Sequence, residues 1–232
     1  MDEEAWERRV AQRLVRLLLL RRDAPVPEDV LFEAFWPDKP ADAARRGLQV
    51  AVSSARAVLD PPGAERTTVE VSERSYRLRL RPGDSVDADE FERAAATALA
   101  ASGPERIALL EVASGRWGGE PLPEDRYEDW AIAWRERLLD LYGQVLGALA
   151  DGHAATGDHG RAIDAGRRAV EVDPLDEGAH RRLMLSYARS GRRGHALRQF
   201  LACRRALVDG LGVEPAEESA ALQRQILAGE PV

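Results

Sequence analysis

The sequence contains a single cysteine, Cys203, among 232 residues. One thiol cannot form an internal disulfide or supply a cysteine-based zinc site, and such scarcity is typical of proteins in a reducing cytoplasm. Long apolar stretches are missing too, because runs such as Leu17–Leu20 are far shorter than the roughly 18 residues of a membrane span. Met1 is followed by acidic residues rather than by the basic start of a signal peptide. We therefore expect a cytoplasmic protein with no membrane partner.

Motifs that bind cofactors or carry out catalysis are also absent. The chain has no GxxxxGK[ST] sequence to cradle a nucleotide phosphate, and no serine has the surroundings of a nucleophile elbow. Its four histidines share no metal-ligand spacing. The sequence therefore predicts a protein that is not an enzyme and that needs neither a cofactor nor a metal ion.

The net charge of −7 is unevenly distributed along the chain. Residues 1–82 carry a net charge of +1, whereas residues 83–232 carry −8. A length of 232 residues suits two ordinary domains, and the turn-rich stretch "RPGDSVDAD" marks a boundary between them. We predict one domain over residues 1–82 and a second over residues 87–232, each facing a different kind of partner.

The stretch "AARRGLQVAVSSARAVLD" predicts an amphipathic helix with a positive face. Its apolar residues recur at helical spacing and form one stripe: Ala44, Leu48, Ala51, Val52, Ala55, Val58 and Leu59. The opposite face carries Arg45, Arg46, Gln49, Ser53 and Arg56, with no acidic residue between Arg45 and Leu59. Arginine and small hydrogen-bonding side chains of this kind reach phosphates and base edges when a helix enters the major groove. A helix face that is merely solvated is the alternative interpretation.

The elements around this helix follow the order of a winged helix-turn-helix domain. A first helix is predicted from about Glu4 to Arg22, and a second reads "EDVLFEAFW" and ends before Pro37. The third begins after a cap at Asp38 and ends near Leu59. The segments "TTVEVSE" and "SYRLRL" then alternate apolar and polar residues, which predicts a hairpin wing.

Five single positions in these elements and beyond carry further predictions. Arg74 and Ser75, at the tip of the wing, are candidate DNA contacts, and ordinary turn residues are the alternative; Tyr76 is expected in the core. Gly47 inside the third helix is interpreted as simply tolerated, at a cost of about 1 kcal/mol relative to alanine. Cys203 is expected to be an inert, packed thiol.

The second half of the chain contains an internal repeat. "AATGDHGRAI" and "ARSGRRGHAL" align with Gly157 over Gly191 and Ala162 over Ala196, a spacing of 34 residues that is typical of tetratricopeptide units. A last helix near Glu217–Leu227 would cap the stack. The fold class predicted for the whole chain is mainly α: a winged helix-turn-helix of three helices and a hairpin, followed by an all-α, tetratricopeptide-like repeat domain.

In this order, the pieces resemble the SARP-type transcriptional regulators, which join a response-regulator-type winged helix to a bacterial transcriptional activation domain. The resemblance rests on "VLFEAFWPD", "SYRLRL", "VDADEFE", "GEPLPE", "LMLSYARSGRRGHAL" and "LGVEPAEE" as well as on the basic helix. It departs from the family at Arg46, Ser54 and Ala55, where the family usually has Asn, Arg and Leu. The chain also begins close to the first helix, without the small sheet that normally precedes this helix in the family. We therefore expect Met1 to be either the native start of a shortened domain or a position inside a longer regulator.

The resemblance implies a sequence-specific DNA-binding regulator, expected to be an activator. Its implied DNA contacts are Arg45, Arg46, Gln49, Ser53, Ser54, Arg56, Arg74 and Ser75, and its implied partners are double-stranded promoter DNA and RNA polymerase or another protein, with a possible homodimer. The alternative is a protein- or ligand-binding repeat module whose winged helix no longer binds DNA.

Overall fold

The computed structural model describes residues 9–60 and 68–232, which form two compact units. The first unit comprises the described residues up to Ser85 together with Leu122–Arg135. The second comprises Val86–Pro121 and Glu136–Val232. The mainly helical fold class, a winged helix followed by a helical domain, is confirmed.

In its described residues, the first unit contains three α-helices and a small sheet, together with a 3₁₀ helix (Pro123–Asp125) and the first turns of a longer helix. The helices are α1 (Arg9–Leu20), α2 (Glu28–Phe35) and α3 (Ala41–Leu59), and the strands are β1 (Val26–Pro27), β2 (Val69–Ser72) and β3 (Ser75–Leu78). The predicted hairpin is confirmed. Residues 4–8 of the first predicted helix lie outside the described residues, as does Thr67. The prediction that Asp38 caps α3 is wrong, because Pro40 occupies the N-cap position and accepts the first backbone hydrogen bonds.

The sheet has a strand that was not predicted. The strand order is β1-β3-β2, with both pairs antiparallel and with Val26 opposite Tyr76. Only two residues of β1 pair, and Pro27 lacks an N–H group, which suits the edge of a sheet. This short strand fixes the start of α2 beside the hairpin turn.

The core of the first unit lies between α1, α3 and the sheet. Most of the apolar stripe predicted for α3 is buried, whereas Val58 and Leu59 at its end are half-buried, and Tyr76 is buried as expected. The buried apolar residues of this core include Leu14, Leu17, Leu18, Leu48, Ala51, Val52, Ala55, Val69, Tyr76 and Leu78. Burial of such side chains stabilises a fold by roughly 25 cal/mol per Å² of apolar surface. This packing leaves the opposite face of α3 outside the core.

Residues 122–135 join the first unit through a buried carboxylate. Asp125 is fully buried and accepts hydrogen bonds from Arg13 Nε at 2.8 Å and from Arg16 Nη1 at 2.9 Å. The ring centroids of Trp130 and Phe35 lie 6.5 Å apart in an edge-on arrangement. A buried carboxylate requires such paired donors, because an unpaired buried charge is strongly unfavourable.

The second unit is entirely helical in its described residues. It contains α4 (Asp87–Ala100), α5 (Arg106–Gly115), most of α6 (Asp129–Ala155), α7 (His159–Val172), α8 (Glu177–Arg189), α9 (Arg193–Leu211) and α10 (Glu217–Ala228). Gly157 and Gly191 both adopt a left-handed conformation, with φ of 78° and 76°, at the end of α6 and α8 respectively. Ala162 and Ala196 are fully buried at equivalent places. The predicted 34-residue repeat is therefore present in three dimensions.

The structure also bears on the thiol of Cys203, on membrane spans and on metal sites. Cys203 is buried, and this burial raises the pKa of its thiol to about 11, as expected for an inert packed residue. Within the described ranges 9–60 and 68–232, no helix is both long and apolar enough to cross a bilayer. The same residues contain no cluster of three or more histidine, cysteine, aspartate or glutamate side chains that could hold a metal ion.

Gly47 has a packing role that differs from the tolerance predicted for it. A Cβ atom at this position would lie 2.9 Å from Cε2 and Cζ2 of Trp36, closer than packed carbon atoms approach. Trp36 is half-buried and contacts Phe35 edge-on with ring centroids 5.9 Å apart. The rigid indole ring therefore requires a residue without a side chain at position 47.

We expect Gly47→Ala to destabilise the first unit by about 1–3 kcal/mol, because overpacking against Trp36 outweighs the better helix propensity of alanine. Gly143→Ala in α6 is the matched control, since no heavy atom outside its own helix lies within 4 Å of a Cβ placed there. That change should stabilise the protein by up to about 1 kcal/mol. Urea unfolding followed by circular dichroism measures both. A Gly47→Ala protein as stable as the control variant would contradict the role given to Trp36.

Candidate nucleic-acid interface

The predicted basic face of α3 divides into an exposed stripe and two anchored arginines. Arg46, Gln49 and Ser53 are exposed at successive turns of the helix. None of the three has a hydrogen-bond or ion-pair partner among residues 9–60 and 68–232. Their donors and acceptors are available to a ligand, and a side-chain set of this type can contact phosphates and base edges.

Arg45 is held by acidic side chains of its own unit. Its Nε and Nη2 atoms donate to the Glu28 carboxylate at 3.2 and 2.9 Å, and its Nη1 atom donates to Asp42 at 3.2 Å. The pKa of Arg45 is raised, chiefly by the hydrogen bonds to Glu28. Arg45 therefore differs from the freely exposed residue that the helical pattern predicts.

Arg56 is also anchored within the unit. Its Nε and Nη2 atoms both donate to the carbonyl oxygen of Val69, at 3.1 and 2.7 Å. Because Val69 begins β2, this contact attaches the C-terminal half of α3 to the wing. Arg56 thus has a structural role that spacing along one helix does not reveal.

The wing ends in a tight two-residue turn. Ser72 and Ser75 face each other across the hairpin, and the two residues between them, Glu73 and Arg74, both have positive φ angles of 47° and 62°. Hairpin turns with two such residues usually contain asparagine or glycine, since other side chains are disfavoured there. Arg74 is fixed by two contacts with Glu28: its carbonyl accepts the Glu28 N–H at 2.9 Å, and its Nε atom lies 2.7 Å from Glu28 Oε1.

The remaining predicted contacts and two additional residues complete the surface. Ser54 and Ser75 are half-buried. Val50 lies among the exposed residues of α3 and is 41% exposed, and an apolar side chain there suits contact with a thymine methyl group. Sequence reasoning did not single out Val50 or Glu28. Glu28 could not be recognised, because its partners lie 17 and 46 positions further along the chain.

The local charge of this surface is close to balance. Four arginines, Arg45, Arg46, Arg56 and Arg74, lie on α3 and the wing turn, and three acidic residues accompany them, Glu28, Asp42 and Glu73. Their sum is a small positive charge. Affinity for a polyanion would therefore depend on which arginines are free rather than on a large excess of charge.

The second unit has a groove of different character beside α6 and α7. Two adjoining cavities of about 480 and 470 Å³ share Leu139 and Val172 in their walls. Trp117 lines one of them, with its ring stacked on that of Tyr142 at 4.2 Å. The groove also carries six acidic residues, Glu120, Glu136, Asp140, Glu171, Asp173 and Asp176, against two arginines, Arg168 and Arg182. This lining would suit a basic partner that also carries apolar side chains.

The contacts of Glu28 predict how stability depends on pH. Hydrogen bonds from Arg45 lower the pKa of Glu28, and the charges of Arg45 and Arg74 lower it further, against the raising effect of burial. Its stabilising effect is therefore complete above the ordinary glutamate pKa of about 4.3 and is lost as the pH falls through the lower folded-state pKa.

We expect Glu28→Gln to be less stable than the native sequence at pH 7, and this difference to shrink as the pH falls from 5 to 3. Urea unfolding at a series of pH values measures it. Glu33→Gln is the matched control, because Glu33 lies on the same helix, is exposed and has no partner among the described residues. A stability difference between Glu28→Gln and the native protein that stays constant down to pH 3 would contradict the assignment.

The comparisons with known proteins support this architecture. Residues 86–227 match the family model of the bacterial transcriptional activator domain. The solved structure of Mycobacterium tuberculosis EmbR in complex with a low-affinity phosphopeptide superimposes with a TM-score of 0.76 over 96% of this chain and 60% of that chain, at 24% sequence identity. That similarity supports the fold.

Curated relatives extend the match over both units. The transcriptional regulatory protein MoaR1 of Mycobacterium tuberculosis is 29% identical over 94% of this chain and 72% of its own length. The regulatory protein AfsR of Streptomyces coelicolor is 30% identical over 94% of this chain but only 22% of its own length. The regulatory protein DnrI of Streptomyces peucetius is 27% identical over 96% of this chain and 85% of its own length.

The family is one of transcriptional regulators and not of enzymes, as the absence of catalytic motifs predicts. Its characteristic domain spans more than half of the chain and follows a unit with winged-helix topology. The chain therefore belongs to the SARP-type transcriptional regulators that carry a bacterial transcriptional activator domain.

Proposed function

We propose that this regulator binds promoter DNA in a sequence-specific manner and activates transcription, with α3 in the major groove. The observation that carries the proposal is the exposed stripe of Arg46, Gln49 and Ser53, which has no acidic residue within it and no partner among the described residues. A face that served only for solvation would usually mix acidic with basic side chains. A cytoplasmic location is part of the same proposal.

The proposed interface assigns different tasks to the predicted contacts. Arg46 and Gln49 read base edges, since their side chains are unconstrained and chemically suited to guanine and adenine. Ser53, Ser54 and Ser75 contact the backbone, as hydroxyl groups commonly do. Arg45, Arg56 and Arg74 are proposed to contact backbone phosphates.

The second unit is proposed to contact RNA polymerase or another protein of the transcription machinery. The support is the acidic groove with its aromatic wall, whose charge is complementary to a basic protein surface and unfavourable for DNA. Formation of a homodimer on DNA is part of the same proposal, since paired half-sites are common among winged helix-turn-helix regulators. The alternative, a helical module with an inactive winged helix, predicts no salt-dependent binding to duplex DNA.

The first experiment selects preferred sites from a pool of random duplexes and measures affinity by fluorescence anisotropy between 50 and 200 mM salt. We expect affinity to fall with salt, with log K changing by about −0.9 per log unit of salt for each phosphate contact. Arg46→Ala and Gln49→Ala should each weaken binding to the selected site by about 10- to 100-fold and relax the preference at one base pair.

The matched control for these variants is Arg205→Ala, which removes one exposed arginine from α9 of the second unit. It should leave affinity for the selected site within about twofold of the native value. Binding by the native protein that did not change with salt would sink the DNA-binding proposal. Native-like affinity of the Arg46→Ala variant would exclude a base-reading role for that residue.

The second experiment tests the groove by transcription in vitro. The double change Glu136→Lys and Glu171→Lys reverses charge on both cavities, and we expect it to abolish activation while leaving affinity for the selected site unchanged. The control, Asp209→Lys with Glu218→Lys, makes the same charge change at exposed positions that line neither cavity. Equal activation by the groove variant and the native protein would refute the proposed role of the groove.

A further inference from the structure

Glu28 connects the three elements that make up the candidate DNA interface. It is the first residue of α2, and its side chain is only 13% exposed. Its carboxylate accepts two hydrogen bonds from Arg45 on α3, and the same oxygen that binds Arg45 Nη2 lies 2.7 Å from Arg74 Nε on the wing turn. The Glu28 carboxylate therefore binds the Nε atoms of Arg45 and Arg74, which are two of the arginines proposed to contact phosphates.

The way Arg45 binds Glu28 is the way in which an arginine binds a phosphate. Two parallel N–H···O bonds from Nε and Nη2 form the planar fork that matches either a carboxylate or a phosphodiester. A guanidinium held in this manner cannot offer the same two donors to DNA. Arg74 has a side chain that is 67% exposed, so its outer edge faces solvent while its Nε atom remains bound to Glu28.

The stripe that would read bases is arranged differently. Arg46, Gln49 and Ser53 make no contact with Glu28, and no described acidic side chain forms an ion pair with Arg46. Phosphate contacts are the same on every sequence, whereas base contacts differ between sequences. If Glu28 holds back the arginines that contact phosphates while the base-reading residues stay free, binding to the correct sequence is favoured over binding to other sequences.

We propose that Glu28 is a specificity-determining residue, which acts as an internal substitute for a DNA phosphate and withholds Arg45 and Arg74 from non-specific duplex. The inference rests on the proposed DNA-binding function. On the correct operator, the base contacts of α3 supply the free energy that is needed to exchange the carboxylate for backbone phosphates. On any other sequence this exchange is not compensated, and binding stays weak.

The test is Glu28→Gln, which keeps the size of the side chain and removes its negative charge. Affinity for a scrambled duplex should rise at 50 mM salt by about three- to tenfold, and its salt dependence should steepen by about 0.9 for each phosphate that a released arginine binds. For one such phosphate, the gain in affinity of the variant over the native protein would be about threefold smaller at 200 mM than at 50 mM salt. The ratio of affinities for the selected operator and the scrambled duplex should fall.

Two further variants separate this effect from a general change of charge or stability. Glu33→Gln makes the same charge change on the exposed side of α2 and should alter affinity less than twofold. In an Arg45→Ala background, Glu28→Gln should lose roughly half of its effect on log K, because one of the two arginines that it releases is gone and Arg74 remains. Circular dichroism establishes that each variant is folded. Glu28→Asp keeps the negative charge but shortens the side chain, and it should raise affinity for the scrambled duplex by a smaller factor than Glu28→Gln does.

The outcomes distinguish this inference from the proposed function. If the native protein binds DNA with the expected salt dependence and Glu28→Gln binds the scrambled duplex equally or more weakly, then Glu28 only positions the arginines and the inference is overturned. The same conclusion follows if Glu33→Gln reproduces the effect. If the native protein shows no salt-dependent binding, the DNA-binding proposal itself fails, and the inference fails with it.

Discussion

The carboxylate of Glu28 is the constraint on which the arrangement of the candidate interface depends. It lies at the start of α2 and binds side chains from α3 and from the wing turn, so three elements distant in sequence share one charged group. Glu28 also compensates for a strained turn, because Arg74 adopts a left-handed conformation, its carbonyl accepts the Glu28 backbone N–H, and its side chain binds the Glu28 carboxylate. Such strain persists where surrounding contacts determine the conformation.

Local patterns were sufficient to predict most of the fold. The stripe of apolar residues along α3, the alternation in the hairpin and the 34-residue spacing of Gly157 and Gly191 each encode one element through its own period. β1 was missed because two residues cannot establish a period. The cap of α3 was misplaced because Asp38 has the preferred chemistry, whereas the backbone of Pro40 takes that position.

The candidate site was less predictable than the fold, because its decisive contacts are between elements. Helical spacing predicts that Arg45, Arg46 and Arg56 share a face of one helix, and all three lie on α3 in the structure. Spacing cannot show that Arg45 binds Glu28 or that Arg56 binds the carbonyl of Val69. Nor does any local signal reveal that Gly47 accommodates the indole ring of Trp36.

These differences change how the basic face of α3 should be understood. Counting arginines suggests a surface that attracts any polyanion, yet two of the three on this helix already donate hydrogen bonds to partners within the unit. What remains exposed is a short stripe, centred on Arg46 and Gln49, that is too small to hold DNA by charge alone. If α3 binds DNA as proposed, this surface obtains its affinity from matched base contacts, and weak binding to all other sequences helps a regulator to find a few promoters in a genome.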